Sequence, residues 1–461
     1  MYYISTRNNK DKYTFEEILL KGLADDGGLF IPNEVPTISQ SDMQDILVMD
    51  YKSIAIRLIK LFTQDTFSDD LLEKMVHEAY ESFNNNKITP LINLDENTSI
   101  LELYHGPTLA FKDIAMQLLS RMIEEVLSKN NSRASIICAT SGDTGGAAVA
   151  SFADKENIDL YVLFPKDKIS EVQRRFMSTS QANNINIISI DGNFDDCQNI
   201  VKSLFKDKAF SQSVHLTAVN SINWARIMIQ IIYYFSAISQ NPKYKKNPDI
   251  IVPTGNFGDI YAGYIAKKMG LEMGKLVIAT NVNNILERCL NTGRYNILEA
   301  IQTNSPSMDI QISSNFERLL YDLVNQDIKR LSQMMDELVT RGEFSLNEEE
   351  LLNLNTTFEA GSIEQIETID IIKKIYDQHN LILDPHTAVA IGVSNKNNYT
   401  NSIILSTAHP AKFPEAVREA IGIEAELPAN NKNIFNLPED IKNMKNDISL
   451  IKNNILSNFR R

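Results

Sequence analysis

Lys112 ends the run Leu103-Tyr104-His105-Gly106-Pro107-Thr108-Leu109-Ala110-Phe111 and opens a stretch in which Ile114, Leu118, Met122 and Val126 recur at helical spacing. Thr108 is the expected N-cap, and Asp113 suits the positive end of the helix dipole. An amine in the first turn beside an apolar face has its pKa lowered by the dipole and by desolvation. Such an amine is the group that forms an imine with a carbonyl compound. A lysine at a helix start is more often a solvated surface charge, and position alone does not separate the two readings.

Three further segments have residue types suited to ligands. Ala139-Thr140-Ser141-Gly142-Asp143-Thr144-Gly145-Gly146 follows an expected strand and precedes the small-residue helix Ala147-Ala148-Val149-Ala150. Its amides and the hydroxyls of Thr140, Ser141 and Thr144 form an anion cradle at a helix amino terminus, suited to a carboxylate. Glycine and serine before a helix are also ordinary turn chemistry. Pro253-Thr254-Gly255-Asn256-Phe257-Gly258-Asp259 again lies between a strand and a helix. Its glycines expose successive amides to a phosphate, yet neither the Lys-Ser or Lys-Thr of a P-loop nor G-x-G-x-x-G spacing is present, which favours a cofactor with one phosphate over a nucleotide. Finally, in Ser406-Thr407-Ala408-His409-Pro410-Ala411-Lys412-Phe413 a hydroxyl at a strand end could meet a ring nitrogen; a plain turn is the alternative. The histidines show no ligand spacing, so no metal site is expected.

These segments need a frame. The 461 residues exceed what one core holds, and 43% apolar with 23% charged residues is ordinary globular composition. A net charge of -14 argues against nucleic acid or an anionic membrane as partner. The amino terminus lacks the plan of a signal peptide and no run is long enough to span a membrane, so a soluble, cytoplasmic protein is expected. Cys138, Cys197 and Cys289 are too few and too scattered for a disulfide framework and read as buried thiols.

From Phe15 to about Leu94 the pattern is helical and amphipathic, with Tyr51 to Thr63 and Leu71 to Phe83 as its clearest helices, broken by the turn Asp25-Asp26-Gly27-Gly28. Beyond Ile100, buried strands are expected at 134–138, 159–164, 185–190, 249–252, 276–279 and 402–406, and helices at 114–127 and 225–238. Such alternation implies right-handed crossovers, mainly parallel sheets and ligands at the strands' carboxyl ends. Helices are expected at 326–339 and 366–379, and 430–461 is polar with a weak helical period.

Together and in this order, the four segments resemble the threonine synthase family, pyridoxal-phosphate enzymes of fold type II. The resemblance runs from Ala24-Asp25-Asp26-Gly27-Gly28-Leu29-Phe30-Ile31-Pro32 through residues 105–113 to 407–413 and covers essentially the whole chain. The Phe-Lys-Asp and Gly-Asn-Phe-Gly-Asp segments are those of its longer, bacterial and fungal type. The resemblance implies an α/β fold of two open, mainly parallel sheet domains with a small helical N-terminal domain. The expected division is 1–95, a catalytic region 96–430 of two intertwined subdomains, and a helical tail 431–461.

It implies further that Lys112 holds pyridoxal 5'-phosphate as a Schiff base and shuttles protons. Gly255, Asn256, Phe257, Gly258 and Asp259 would hold the cofactor phosphate through amides, with the Asn256 and Asp259 side chains closing the loop. Thr407 would meet the pyridine nitrogen, and a neutral partner there disfavours transamination. Ser141, Gly142, Asp143 and Thr144 would meet the amino-acid carboxylate and the cofactor plane. Asp143 stands where many relatives have Asn, and a carboxylate beside the cofactor's phenolate needs a proton or another partner. The implied substrate is O-phospho-L-homoserine, converted to L-threonine in the last step of threonine biosynthesis. Asn220-Ser221-Ile222-Asn223-Trp224-Ala225-Arg226 matches the family's substrate-phosphate segment, making Ser221 and Arg226 candidates; Lys168 is a third, and equally an ordinary surface charge. A monomer or homodimer is expected. The competing readings are another fold type II lyase, such as a threonine dehydratase, and a non-catalytic relative that binds phosphorylated ligands.

Overall fold

Runs of β-branched and aromatic residues with no polar face, such as Ile158–Pro165, are suited to central parallel strands covered on both sides. In the computed structural model, which describes residues 1–240 and 246–460, that strand lies inside a five-stranded sheet. Its order is Lys442–Lys445, Ile185–Asp191, Ile158–Pro165, Ala134–Ala139, Leu216–Thr217, all parallel. A six-stranded sheet has the order Phe358–Ser362, Leu276–Thr280, Asp249–Pro253, Ser402–Ser406, Thr98–Glu102, Leu91–Asn93, parallel except for its last pair. The chain leaves this second sheet after Glu102, builds most of the first, and returns at Asp249, so the two subdomains are interleaved.

The amino-terminal region is helical, with Phe15–Lys21, Tyr51–Thr63 and Asp69–Ala79, but also contains a three-stranded antiparallel sheet of Asn8–Tyr13, Tyr3–Ser5 and Phe30–Pro32. It packs behind the catalytic region through Trp224, whose ring centroid lies 6.4 Å from that of Tyr3 and 5.9 Å from that of Phe62. Burying each large apolar side chain here contributes about 1.5–3 kcal/mol. The Leu91–Asn93 and Thr98–Glu102 hairpin spans the expected division at 95.

The expected helices and strands are present, most with ends shifted by a few residues. The carboxyl tail differs more. It has a helix at Ile448–Asn458, but Lys442–Lys445 is an edge strand pairing with Ile185–Asp191. A four-residue edge strand of Lys-Asn-Met-Lys needs only one apolar side chain and leaves no period to read. Among the described residues, no helix is long and apolar enough to cross a membrane.

Candidate active site

Parallel register brings the site together. Asp249–Pro253, Ser402–Ser406 and Thr98–Glu102 are consecutive neighbours, so their carboxyl ends lie on one edge. From that edge leave the Gly255 loop, Thr407 and the approach to Lys112. The approach is clamped to the Thr407 segment: Phe111 N–H donates to Thr407 O at 2.9 Å and His409 N–H to Leu109 O at 3.0 Å. Leu109, fully buried, has φ +60°, a conformation that a branched side chain adopts only when its surroundings dictate it.

The helix begins at Lys112 with Phe111 as its N-cap, so Thr108 is not the cap expected from the sequence. The Thr108 amide and hydroxyl instead both donate to the buried Asp113 carboxylate, at 2.8 and 2.6 Å. Asp113 reaches back over the turn and holds the Thr108 segment against the helix start.

Lys112 is buried rather than solvated, with its side chain 12% exposed. Its Nζ lies 3.5 Å from Asp143 Oδ2. Burial pushes its pKa down, and Asp143 opposes this. Asp143 has the partner that a buried carboxylate requires. Lys412 Nζ is 2.7 Å from its Oδ1, and Gln173 Nε2 donates to the same oxygen at 3.0 Å. Burial alone would raise the Asp143 pKa, but Lys412 and then Lys112 hold it well below the usual carboxylate range.

The turn before Asp143 depends on Gly142, which has φ +135° and whose absent Cβ would stand 2.5 Å from the Gln173 side chain. Thr140 Oγ1 accepts from the Gly142 and Gly145 amides at 3.0 and 2.9 Å and closes the turn. That leaves the amides of Ser141, Asp143 and Thr144 without a protein acceptor among the described residues. The turn retains an anion cradle, made of backbone.

The Gly255 loop is turned outward by its carbonyls. Ser313 Oγ donates to Gly255 O at 2.6 Å, while Asn315 donates to Asn256 O through its amide at 3.1 Å and its Nδ2 at 3.0 Å. Among the described residues the amides of Gly255 through Ile260 donate to no protein group. Six successive unpaired donors at the start of the helix Gly258–Lys268 form a strong anion site. Phe257, buried with φ +64°, is the strained residue that makes this turn. The Asp259 side chain faces away from the loop, accepting from Tyr233 Oη at 2.5 Å and Tyr234 Oη at 3.0 Å, and burial raises its pKa to about 6. No side-chain hydrogen bond of Asn256 forms among the described residues.

Arg226, in the first turn of the helix Trp224–Gln240, is 3% exposed and has no carboxylate in ion-pair range among the described residues. One guanidinium nitrogen donates to Val219 O at 3.2 Å, Nε has no partner, and burial lowers its pKa to about 10. A buried cation without a counter-ion is costly to the fold and suits an anionic ligand. Ser221, on the adjoining loop, is linked to the Gly255 loop through Asn315, whose Nδ2 also donates to Ser221 O at 3.2 Å. Lys168 is exposed in the loop after Ile158–Pro165 and contacts none of these groups. Thr407 is 6% exposed, and its hydroxyl has no protein partner among the described residues. Asn315, Gln173 and Lys412 are the participants that sequence reading missed.

These features fit a phosphorylated aldehyde. The six free amides of the Gly255 loop match a phosphate, the desolvated Lys112 amine a carbonyl carbon, and the unpaired Thr407 hydroxyl a ring nitrogen.

Comparison with known proteins agrees along the whole length. Family models for the threonine synthase N terminus, pyridoxal-phosphate dependent enzymes and the threonine synthase C-terminal region match residues 2–80, 84–403 and 387–455. The threonine synthase of Pseudomonas aeruginosa is 41% identical, with 98% of this chain and 97% of that protein covered. The structure of PLP-bound threonine synthase from Brucella melitensis superposes with a TM-score of 0.97 at 42% identity, covering 100% of both chains. The yeast threonine synthase structure gives 0.94 at 38% identity, over 99% of this chain and 98% of that one. Matched along its whole length by these family models, this relative and these structures, the chain belongs to the threonine synthase family of pyridoxal-phosphate-dependent enzymes.

Proposed function

We propose that this chain converts O-phospho-L-homoserine and water to L-threonine and phosphate. The observation that supports this over other lyases of the same fold is Arg226, a buried guanidinium with an unpartnered Nε and no carboxylate counter-ion among the described residues. A substrate with a second phosphate provides the missing anion, and the guanidinium fork suits its oxygens. Ser221, on the loop preceding the Arg226 helix, is a second candidate ligand, and the exposed Lys168 a third.

In this reading, bound pyridoxal phosphate supplies a conjugated ring that stores negative charge developing at the substrate Cα. Gly255 to Asp259 hold the phosphate by backbone amides, and the Thr407 hydroxyl meets the ring nitrogen. The free amides of Ser141, Asp143 and Thr144 receive the amino-acid carboxylate, and Gly142, its own amide held by Thr140, makes the turn that exposes them. Lys112 Nζ, its pKa lowered by desolvation, takes a proton first from Cα and then from Cβ of the substrate, and phosphate departs from Cγ. A proton is returned to Cγ, making the methyl group, water adds its hydroxyl at Cβ, and a proton returned to Cα completes threonine. Chemistry is assigned to residues 96–430, with 1–95 and 431–461 framing it. The protein is read as a cytoplasmic monomer or homodimer that binds a small molecule, not nucleic acid or membrane.

The test is a turnover assay with O-phospho-L-homoserine in which phosphate and threonine are followed together. Equal release of both is expected. Turnover of threonine or O-acetylserine in its place would assign the chain to a different lyase, and no turnover of any of them to a binding protein.

A further inference from the structure

We propose that Lys412 is a positioning residue of this site: it grips Asp143 on one carboxylate oxygen so that the other is presented to Lys112, fixing the charge against which that amine gains and loses its proton. The proposal rests on the reading of Lys112 as the cofactor lysine.

Lys412 ends the short turn Pro410–Lys412 after the strand Ser402–Ser406, and its side chain is 1% exposed. Burying an ammonium costs several kcal/mol unless its partners are close and well placed. Here Nζ is 2.7 Å from Asp143 Oδ1 and donates to Thr108 O at 2.7 Å, with the Phe176 ring centroid 5.5 Å away. One ammonium thus ties together the approach to Lys112, the Asp143 turn and the helix Glu171–Ser178. Gln173 Nε2 shares Oδ1 at 3.0 Å, so that oxygen is saturated while Oδ2 is left facing Lys112 Nζ at 3.5 Å.

The arrangement is asymmetric in a way that simple structural pairing does not require. Asp143 has two ammonium neighbours, and the closer one is not the reactive amine. Lys412 and Arg226 both act electrostatically on Lys112, while Lys412 and Lys112 both act on Asp143. The other carboxyls in reach are already engaged: Asp259 by Tyr233 and Tyr234, Asp113 by Thr108. His409 also lies within electrostatic reach of Lys412. With Lys412 present, Asp143 is neutralised without help from Lys112. Without Lys412, Lys112 becomes its sole counter-ion and is held protonated, the wrong state for a base.

The experiment is a pH titration of the visible absorbance of the holoenzyme, which reads protonation of the Lys112 nitrogen, with kcat measured alongside. Lys412→Met should raise the midpoint by about one unit or more and lower kcat on the order of 100-fold. Lys412→Arg, which keeps the charge, should leave the midpoint near the wild-type value. The double variant Asp143→Asn/Lys412→Met should bring it below wild type, because the carboxylate that held the proton is gone. An unmoved midpoint in Lys412→Met, or equal midpoints in the single and double variants, overturns the proposal. If Lys412→Met is insoluble, the charge-keeping and doubly neutral variants carry the test: the second should titrate lower, and equal midpoints overturn it. Lys112→Ala is the control, for a visible band that survives it would overturn the cofactor assignment itself rather than the role of Lys412.

Discussion

Gly255→Ala is a small change that should strike the cofactor's phosphate and little else. A Cβ at this position would stand 2.4 Å from Ser307 O, where ordinary contact begins at 3.4 Å, so about 1 Å of relief is needed. Ser307 has little freedom to give. Its amide donates to His386 Nε2 at 3.2 Å, and the turn around it is held by Met308 N–H on Ser305 O at 2.9 Å and by Asp309, which accepts from Thr303 and Asn281. The displacement therefore falls in large part on the loop whose amides point outward. Overpacking of this kind costs ~1–3 kcal/mol, which in cofactor affinity is roughly 5- to 150-fold. Titrating the cofactor-free protein with pyridoxal phosphate and following visible absorbance measures it. Pyridoxal, the same aldehyde without phosphate, should bind both proteins alike. Unchanged affinity for the phosphorylated form, or equal loss for both forms, would refute the assignment of the loop to the phosphate.

Other expectations follow from the same geometry. Arg226→Met should make the cofactor-free protein more stable, by ~1–2 kcal/mol in a thermal melt, since an uncompensated buried cation is removed; it should also raise KM for O-phospho-L-homoserine about 10- to 100-fold. Asp259 has a folded pKa raised to about 6 from 3.8, so it destabilises the protein where it must ionise: fully above pH 6, not at all below 3.8, and increasingly between. Asp259→Asn should thus stabilise the cofactor-free protein at pH 8 by about 2–3 kcal/mol and change little near pH 4, as melts at the two pH values would show. Asn315→Ala should lower stability by ~2–4 kcal/mol and weaken cofactor and substrate together, because one side chain ties Asn256 O to Ser221 O and also accepts from Arg318; separate binding titrations would detect loss of only one.

What could be read from the sequence was what is local. Lys112, the Gly142 turn and the Gly255 loop each occupy a few consecutive residues whose types dictate a strand, a turn and a helix start, and long apolar periods such as Tyr51–Thr63 gave their helices directly. What could not be read was what depends on distant chain meeting. No local period says that Ser402–Ser406 lies between Asp249–Pro253 and Thr98–Glu102, although this puts Thr407 beside Lys112. The counter-ion of Asp143 is Lys412, and the residue that orients both phosphate-facing loops is Asn315; neither stands in a segment whose spacing announces a role. Thr108 illustrates a different failure. It had the right type and place for a cap, but Asp113 competes for its hydroxyl and amide, and the helix starts later.

Whether Lys112 is the residue that bonds the cofactor can be decided chemically. The holoenzyme would be reduced with borohydride, digested, and the peptides weighed for a pyridoxyl phosphate adduct. The adduct is expected on the peptide holding Lys112, with fragment ions assigning it to that side chain and none on the neighbouring buried amine of Lys412. An adduct on any other lysine, or a holoenzyme that yields none, would contradict that assignment.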